Sequence, residues 1–376
     1  MKQKVLSLAE EVLAETAAVR HELHKIPELA GQEFRTAEYL RKKLEALPLE
    51  VQRPCLNTDV VALIHGKRPG PNITLRADID GLPIQEKNPV PYRSIQEGRM
   101  HACAHDGHSA MLFGAASVLC RLRDSFPGTV RILFQPGEEM AAMAKDLIEA
   151  GAIDDPFPDF VAALHAWPGV KYGKISTREG TVMGAGGYFR LTLQSPRYFG
   201  GDLIGLAGRV IAELRKRWPE DGTLKFSRVQ SGARAFSVSR KLFLEGIIGF
   251  FSDATAEKAK AGLEALLSGI CGKTGVRWTL EFTMTYPAAV VPEEGARLAK
   301  QAAEKYLGKG SFLPMRKPCP RNDDFAFFLR RSKGVYCHLG MGDSRPLHDP
   351  LFDFDDRLLK TGMVFLAGLS MDFLNR

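Results

Sequence analysis

Between Met100 and Ala116 the chain reads MHACAHDGHSAMLFGAA, placing His101, Cys103, His105, Asp106 and His108 within eight residues. Thiolate and imidazole are ligands for zinc and related ions. The apolar residues that follow at helical spacing put them on a loop just ahead of a helix. Three further polar clusters close apolar runs. Leu75–Glu86 (LRADIDGLPIQE) carries Asp78 and Asp80, Phe134–Glu139 (FQPGEE) carries Glu138 and Glu139, and Val161–Leu164 finishes in His165 ahead of Trp167-Pro168. In open α/β sheets, ligands bind outside the carboxyl ends of the strands. Each of these clusters falls at such a place. A lone His-x-Cys-x-His would read equally well as capping and solvated residues; the company of the other clusters makes it a place to hold metal.

The elements that must position these residues follow from periodicity. Val5–Arg20 carries Leu6, Leu8, Val12, Leu13 and Val19 at helical spacing. Pro27 and Gly31 break that helix, and a second restarts near Glu33. His21 and His24, one helical turn apart, read as surface or packing residues rather than a metal pair, because no carboxylate or Cys cluster stands beside them in sequence. Val60–His65, Ile73–Ala77, Val130–Phe134 and Val161–Leu164 read as short buried strands, with helices at His105–Phe126 and Ala141–Ala150. Strand and helix alternating in this way predict an α/β fold, a mostly parallel sheet with helices on both faces.

From Tyr188 the character changes. Strand Tyr188–Gln194, helix Asp202–Trp218, strands Thr223–Val229 and Lys241–Phe250, helix Thr255–Cys271 and strand Val276–Thr285 form a β-α-β-β-α-β order, the ferredoxin-like α+β pattern. After Pro287 the first style returns: helix Glu293–Leu307, a Pro-rich loop Pro314–Pro320, strand Val335–Leu339, His348 on a loop, and helix Asp355–Leu374. Residues 1–183 and 287–376 therefore read as one domain and 184–286 as an insert.

Composition limits the function classes. With 45% hydrophobic and 25% charged residues over 376 positions, the chain has the makeup of a globular protein of about two domains. The longest apolar runs, such as Ala110–Cys120, fall short of the ~20 residues of a membrane span, and Met1–Arg20 lacks a signal-peptide pattern. The reading is a cytoplasmic protein without a membrane partner. Net charge is +7, but no run of five basic residues occurs, so no nucleic-acid partner is expected. Six Cys without a Cys-x-x-Cys pair read as reduced thiols, of which only Cys103 lies among His residues.

RHELHKIPELAGQE, RADIDGLPIQE, MHACAHDGHSAMLFGAA, FQPGEE, HAWP and LHDPLFDFDD resemble, in order and spacing, the amidohydrolase branch of the two-metal aminopeptidase-like metallopeptidases, over roughly residues 15–183 and 287–376. That branch includes aminoacylases, hippurate hydrolase and indole-acetyl-amino-acid hydrolases. The resemblance implies that Cys103, His105, Glu139, His165 and His348 hold two divalent ions, manganese or zinc, with cobalt or nickel possible. It implies Glu138 as general base and Asp78 and Asp80 as active-site carboxylates, with Asp78 fixing a His tautomer. His101, Asp106 and His108 belong to the motif as supporting residues. It also implies that residues 184–286 form a lid and a homodimer contact.

The activity so implied is hydrolysis of an N-acyl amino acid or related small amide by a metal-activated water. Glu138, kept off the metal, would take the water's proton and pass it to the leaving amine. The Pro136-Gly137 turn could let both glutamates serve one site, since successive strand residues face opposite ways. A dipeptidase or carboxypeptidase of the same family, or a non-catalytic binding relative, is the alternative. Three lid groups of the family are absent: no His occurs between His165 and His338, Phe236-Ser237-Val238-Ser239-Arg240 replaces the family's Asn-Val-Ile-Pro, and Gly249 stands where relatives have Arg. Arg197, Arg228, Arg234 or Arg240 could supply a replacement.

Overall fold

In the computed structural model, residues 1–196, 201–232 and 239–376 are described. Arg197, Arg234 and Phe236–Val238, singled out above, lie outside them. The chain forms two compact units, Met1–Val182 with Val290–Arg316 and Phe327–Arg376, and Met183–Ala289 with Lys317–Ala326.

The strands in chain order are β1 (Glu50–Val51), β2 (Val60–His65), β3 (Asn72–Asp78), β4 (Thr129–Gln135), β5 (Phe160–Trp167), β6 (Ile175–Thr177), β7 (Gly180–Met183), β8 (Ala185–Gln194), β9 (Thr223–Ser231), β10 (Lys241–Phe250), β11 (Arg277–Tyr286), β12 (Ala289–Val291), β13 (Phe312–Pro314) and β14 (Gly334–Gly340). The helices are α1 (Lys2–Lys25), α2 (Phe34–Glu45), α3 (His105–Arg121), α4 (Glu138–Ala141), α5 (Ala144–Glu149), α6 (Leu203–Arg217), α7 (Asp253–Gly272), α8 (Glu293–Ala302), α9 (Ala326–Arg331) and α10 (Leu359–Leu374).

The first unit is built on an eight-stranded sheet of order β1-β2-β4-β3-β5-β14-β6-β13. Its central strands β4, β3, β5 and β14 run parallel, while β2 joins β4 antiparallel. Parallel strands are buried on both faces, and accordingly β3, β4 and β5 are buried along nearly all their length. Helices α1, α3 and α10 pack on one another, and α3 and α10 reach β3. The approach of the three needs Gly114 in α3, because a Cβ there would stand 2.8 Å from Thr16 Oγ1 on α1 and 2.9 Å from Met363 Sδ on α10. Helix α3 is buried from His105 to Cys120, so its first turn lies inside the protein.

The second unit is an antiparallel sheet of order β11-β8-β10-β9 with α6 and α7 packed on it. The strands alternate, burying Phe189, Leu191 and Leu193 against Leu206, Val210, Leu263 and Leu267 while Tyr188 and Arg190 face out. Lys317–Ala326, read from the sequence as part of the first domain, groups with this unit instead. The reason is backbone pairing: the Gly184 N–H is shared between the carbonyls of Cys319 and Arg321, at 2.9 and 2.7 Å.

Candidate metal centre

Every proposed ligand belongs to the first unit; His105, Glu139 and His165 are delivered by the ends of elements, and Cys103 and His348 by loops. Strand β3 ends on Asp78, with Asp80 two residues on; α3 begins at His105; β4 leads through Pro136-Gly137 to Glu138; and β5 carries His165 near its carboxyl end. Glu138 and Glu139 open a single helical turn rather than extending the strand, so they follow helical, not alternating, directions. Gly137 makes the turn at φ +63°, where a Cβ would also stand 2.6 Å from Met143 Cγ. The expected helix Ala141–Ala150 is correspondingly split, with Ala142 at φ +50° and the Met143 N–H bonded back to the Gly137 carbonyl at 3.2 Å. Two ligand-bearing loops also use left-handed residues that are not glycine, Ala104 at φ +66° and His348 at φ +69°. Such conformations cost of order 1 kcal/mol and survive where the surroundings hold them.

The side chains converge in overlapping groups whose donor atoms all lie within 4.8 Å of one another: Cys103 with Glu139 and His348, His105 with Glu138 and Glu139, and Asp78 with His105, His108 and His165. Hydrogen bonds separate the groups that can face an ion from those that cannot. His105 donates from Nδ1 to the Asp80 carbonyl at 2.9 Å and Oδ1 at 3.1 Å. Its Nε2 is buried without a hydrogen-bond partner, 3.8 Å from Asp78 Oδ1 and 3.9 Å from Glu139 Oε1. His165 donates from Nδ1 to the Ala166 carbonyl at 2.8 Å, leaving Nε2 3.7 Å from Cys103 Sγ. His348 Nε2 stands 3.0 Å from Glu139 Oε1.

His108 is different. It donates from Nδ1 to Asp78 Oδ1 at 2.6 Å and accepts the Ala166 N–H on Nε2 at 2.8 Å, so both nitrogens are spent within the protein. Asp78 thus fixes the tautomer of His108, while Asp80 fixes that of His105 and receives the Glu139 N–H at 3.0 Å. His101 is buried with neither ring nitrogen bonded, and burial chiefly pushes its pKa down to about 3.

The electrostatics call for a cation. Burial opposes a charged His105, yet Asp78, Asp80 and Glu139 together lift it to about 10. Burial, then Glu139 and Glu138, push the Cys103 thiol well above its ordinary range. Burial would raise Glu139, but the hydrogen bond from His348 and the charge of His105 hold it below the usual carboxylate value. Burial holds His165 neutral. A buried set of carboxylates with imidazole and thiol donors suits a divalent ion, which binds as those donors shed their protons. Metal bonds of about 2.0–2.3 Å set neighbouring ligand atoms roughly 3.3–3.8 Å apart. Among the proposed ligands, the 3.7 Å between Cys103 Sγ and His165 Nε2 falls in that range, the 3.9 Å between His105 Nε2 and Glu139 Oε1 lies just above it and the 3.0 Å between His348 Nε2 and Glu139 Oε1 just below.

The sequence reading missed a second buried polar cluster. Arg20 and His24 lie on one face of α1, and both are completely buried. His24 packs in the core, as the packing reading has it, but carboxylates stand beside it: it donates to Asp106 at 2.8 Å and Glu86 at 3.1 Å. His21 Nε2 meets Asp356 at 2.7 Å. The available signal was the i, i+4 spacing of Arg20 and His24 on an otherwise apolar helix face.

A family model described as Peptidase family M20/M25/M40 matches residues 74–372. The chain belongs to this family. Within the M20/M25/M40 peptidases it is 30% identical over 366 residues to the N-acetylcysteine deacetylase of Bacillus subtilis, covering 94% of this chain and 95% of that one. It is 29% identical over 384 residues to thermostable carboxypeptidase 2 of Saccharolobus solfataricus, covering 95% of each. The crystal structure of the Bacillus subtilis YXEP protein, a dinuclear metal binding peptidase from M20 family, superposes with a TM-score of 0.90 at 28% identity, covering 97% of this chain and 99% of that one. The six motifs read in the sequence thus point to the right family. Among the described residues no helix is long and apolar enough to cross a membrane.

Proposed function

We propose that this chain is a metal-dependent amidohydrolase that cleaves the amide bond of an N-acyl amino acid or related small amide. The observation that carries the reading is the buried convergence of Glu138 and Glu139 on His105, beside the group of Cys103, Glu139 and His348. Two divalent ions, manganese or zinc with cobalt or nickel as other candidates, would be held by Cys103, His105, Glu139, His165 and His348. When bound, they supply an acidified water and a polarised amide carbonyl.

The protein's own residues do the rest. Glu139 is committed to His348 and, through its N–H, to Asp80. Glu138, one residue earlier in the same turn, is the base in this reading, taking the water's proton and delivering it to the leaving amine. Asp80 keeps the His105 proton on Nδ1 so that Nε2 faces the site, and such orienting partners are typically worth about 10–100-fold in metal affinity. Asp78, anchored by Arg76 at 2.6 Å, sets His108, which in turn fixes the backbone at Ala166 next to His165.

The likeness to a protein named as a carboxypeptidase supports a second reading, in which the substrate is a dipeptide or peptide C-terminus. We take residues 184–286 to be the lid and the homodimer contact from the family resemblance, and the protein to be cytoplasmic from the sequence pattern of its first 20 residues and its short apolar runs. The test of the activity is amine release from N-acetyl, N-benzoyl and dipeptide substrates by metal-free protein reconstituted with manganese, zinc or cobalt. Turnover on acyl amino acids, abolished by chelation, is the expected result. Turnover confined to dipeptides selects the second reading, and none on either class, with two ions bound, refutes both. Light scattering showing a monomer would overturn the dimer.

A further inference from the structure

The His348 ligand comes from a segment that has to be held from outside. His348 has φ +69°, and its ring meets the site at Glu139 Oε1, 3.0 Å away, with Cys103 beside it. Its segment, His348–Asp356, contains no strand and only the start of a 3-10 turn. A β-substituted residue relaxes from the left-handed region unless its neighbours over-determine it. Backbone contacts contribute: the His348 N–H reaches the Ala102 carbonyl at 2.8 Å, the Lys87 N–H the Pro350 carbonyl at 2.9 Å, and Asn88 Nδ2 the Phe352 carbonyl at 2.6 Å.

The strongest tie is ionic and comes from α1. The buried guanidinium of Arg20 donates from Nε to Asp106 at 2.8 Å, from Nη1 to Asp356 at 2.9 Å and from Nη2 to Asp353. Asp106 is the residue after His105; Asp353 and Asp356 follow His348 by five and eight positions. One planar fork therefore joins the first turn of α3, which carries His105, to the segment that carries His348. Tyr92 reinforces it, bonding Asp353 at 2.8 Å and lying under the guanidinium at 4.7 Å. Lysine has the charge but not the three directed donors.

We propose that Arg20 is a positioning residue for the metal centre, fixing the spacing between the His105 and His348 segments so that His348 can complete the group with Cys103 and Glu139. The inference rests on His348 being a metal ligand. It assigns to an α1 residue that touches neither substrate nor metal a control over the ion that His348 would hold.

The test is titration of metal-free full-length protein with Co²⁺, following both heat and the near-ultraviolet thiolate-to-cobalt absorption that marks the ion bound by Cys103, together with the melting temperature. In Arg20→Lys and in Asp356→Asn, the step that His348→Ala loses should weaken about 10–100-fold, and the other step should be unchanged. Asp356 is partly exposed, and its loss leaves Arg20 paired with Asp106 and Asp353. It therefore decides the matter if Arg20→Lys does not fold. His348→Ala is the reference and should lose the same step. A lower melting temperature with both steps at parental affinity, while His348→Ala loses one, overturns the positioning role and leaves the ligand assignment standing. Both steps intact in His348→Ala overturns the ligand assignment, and the proposal falls with it.

Discussion

Raising the pH from 6 to 10 should strip the protein of the stability that protonated His24 contributes. His24 is buried, and burial works against its charge, but Asp106 and Glu86 accept from its two nitrogens and raise its pKa from 6.5 to about 9. In the unfolded chain the same imidazole titrates near 6.5. The folded state therefore holds an extra proton between those values. The contribution is complete below pH 6.5, declines as pH rises, and is gone above about 9. Raising the pKa from 6.5 to about 9 makes that contribution about 3 kcal/mol. The assay is urea denaturation at half-unit pH intervals, followed by far-ultraviolet circular dichroism, for the parent and for His24→Met. Other groups titrate in this range, Glu33 among them, so the difference between the two proteins is the informative quantity. The parent's advantage should shrink by about 3 kcal/mol between pH 6.5 and 9.5. A difference that stays constant across that window would refute the claim that His24 is charged inside the fold.

Two further perturbations address the site itself. Gly137→Ala forces a left-handed alanine into contact with Met143, costing about 1 kcal/mol in backbone and a further ~1–3 kcal/mol in overpacking; turnover should fall with it, and Met143→Ala in the same protein should restore the packing part only. Denaturation and kinetics of the single and double variants check this, and full recovery in the double variant would show that the φ of Gly137 is unimportant. Asp80→Ala removes the carboxylate that receives the Glu139 N–H and shares the His105 Nδ1–H with the main-chain carbonyl of residue 80, which remains, and should weaken metal binding by up to about 10-fold by calorimetry; parental affinity would contradict the orienting role of the carboxylate.

The candidate metal centre was partly legible in the sequence: the ends of β3, β4 and β5 and the start of α3 adjoin apolar runs long enough to identify as strands or a helix, whereas the role of His348, on a loop, entered through the family resemblance. Short elements were not legible. β1, β6 and β13 span two or three residues and carry no period. The break in Ala141–Ala150 was hidden because Ala, Met, Lys, Asp, Leu and Glu are compatible with an unbroken helix, and what splits it is the hydrogen bond from Met143 back to Gly137. The Arg20 and His24 network depends on partners 62 to 336 residues away, and charged residues on a helix read as solvated until those partners are found. The division of work between Asp78 and Asp80 likewise follows from which histidine each carboxylate meets, a matter of distances rather than spacing.

The central claim is that Glu138 acts as the base of a two-ion amide hydrolysis. The direct measurement is amine release from the best N-acyl amino acid by parent and Glu138→Gln, each shown by elemental analysis to carry two ions per chain. The account predicts that Glu138→Gln keeps both ions and the parental melting temperature while turnover falls at least ~10²-fold. Turnover within a few-fold of the parent, at full metal loading, would contradict it.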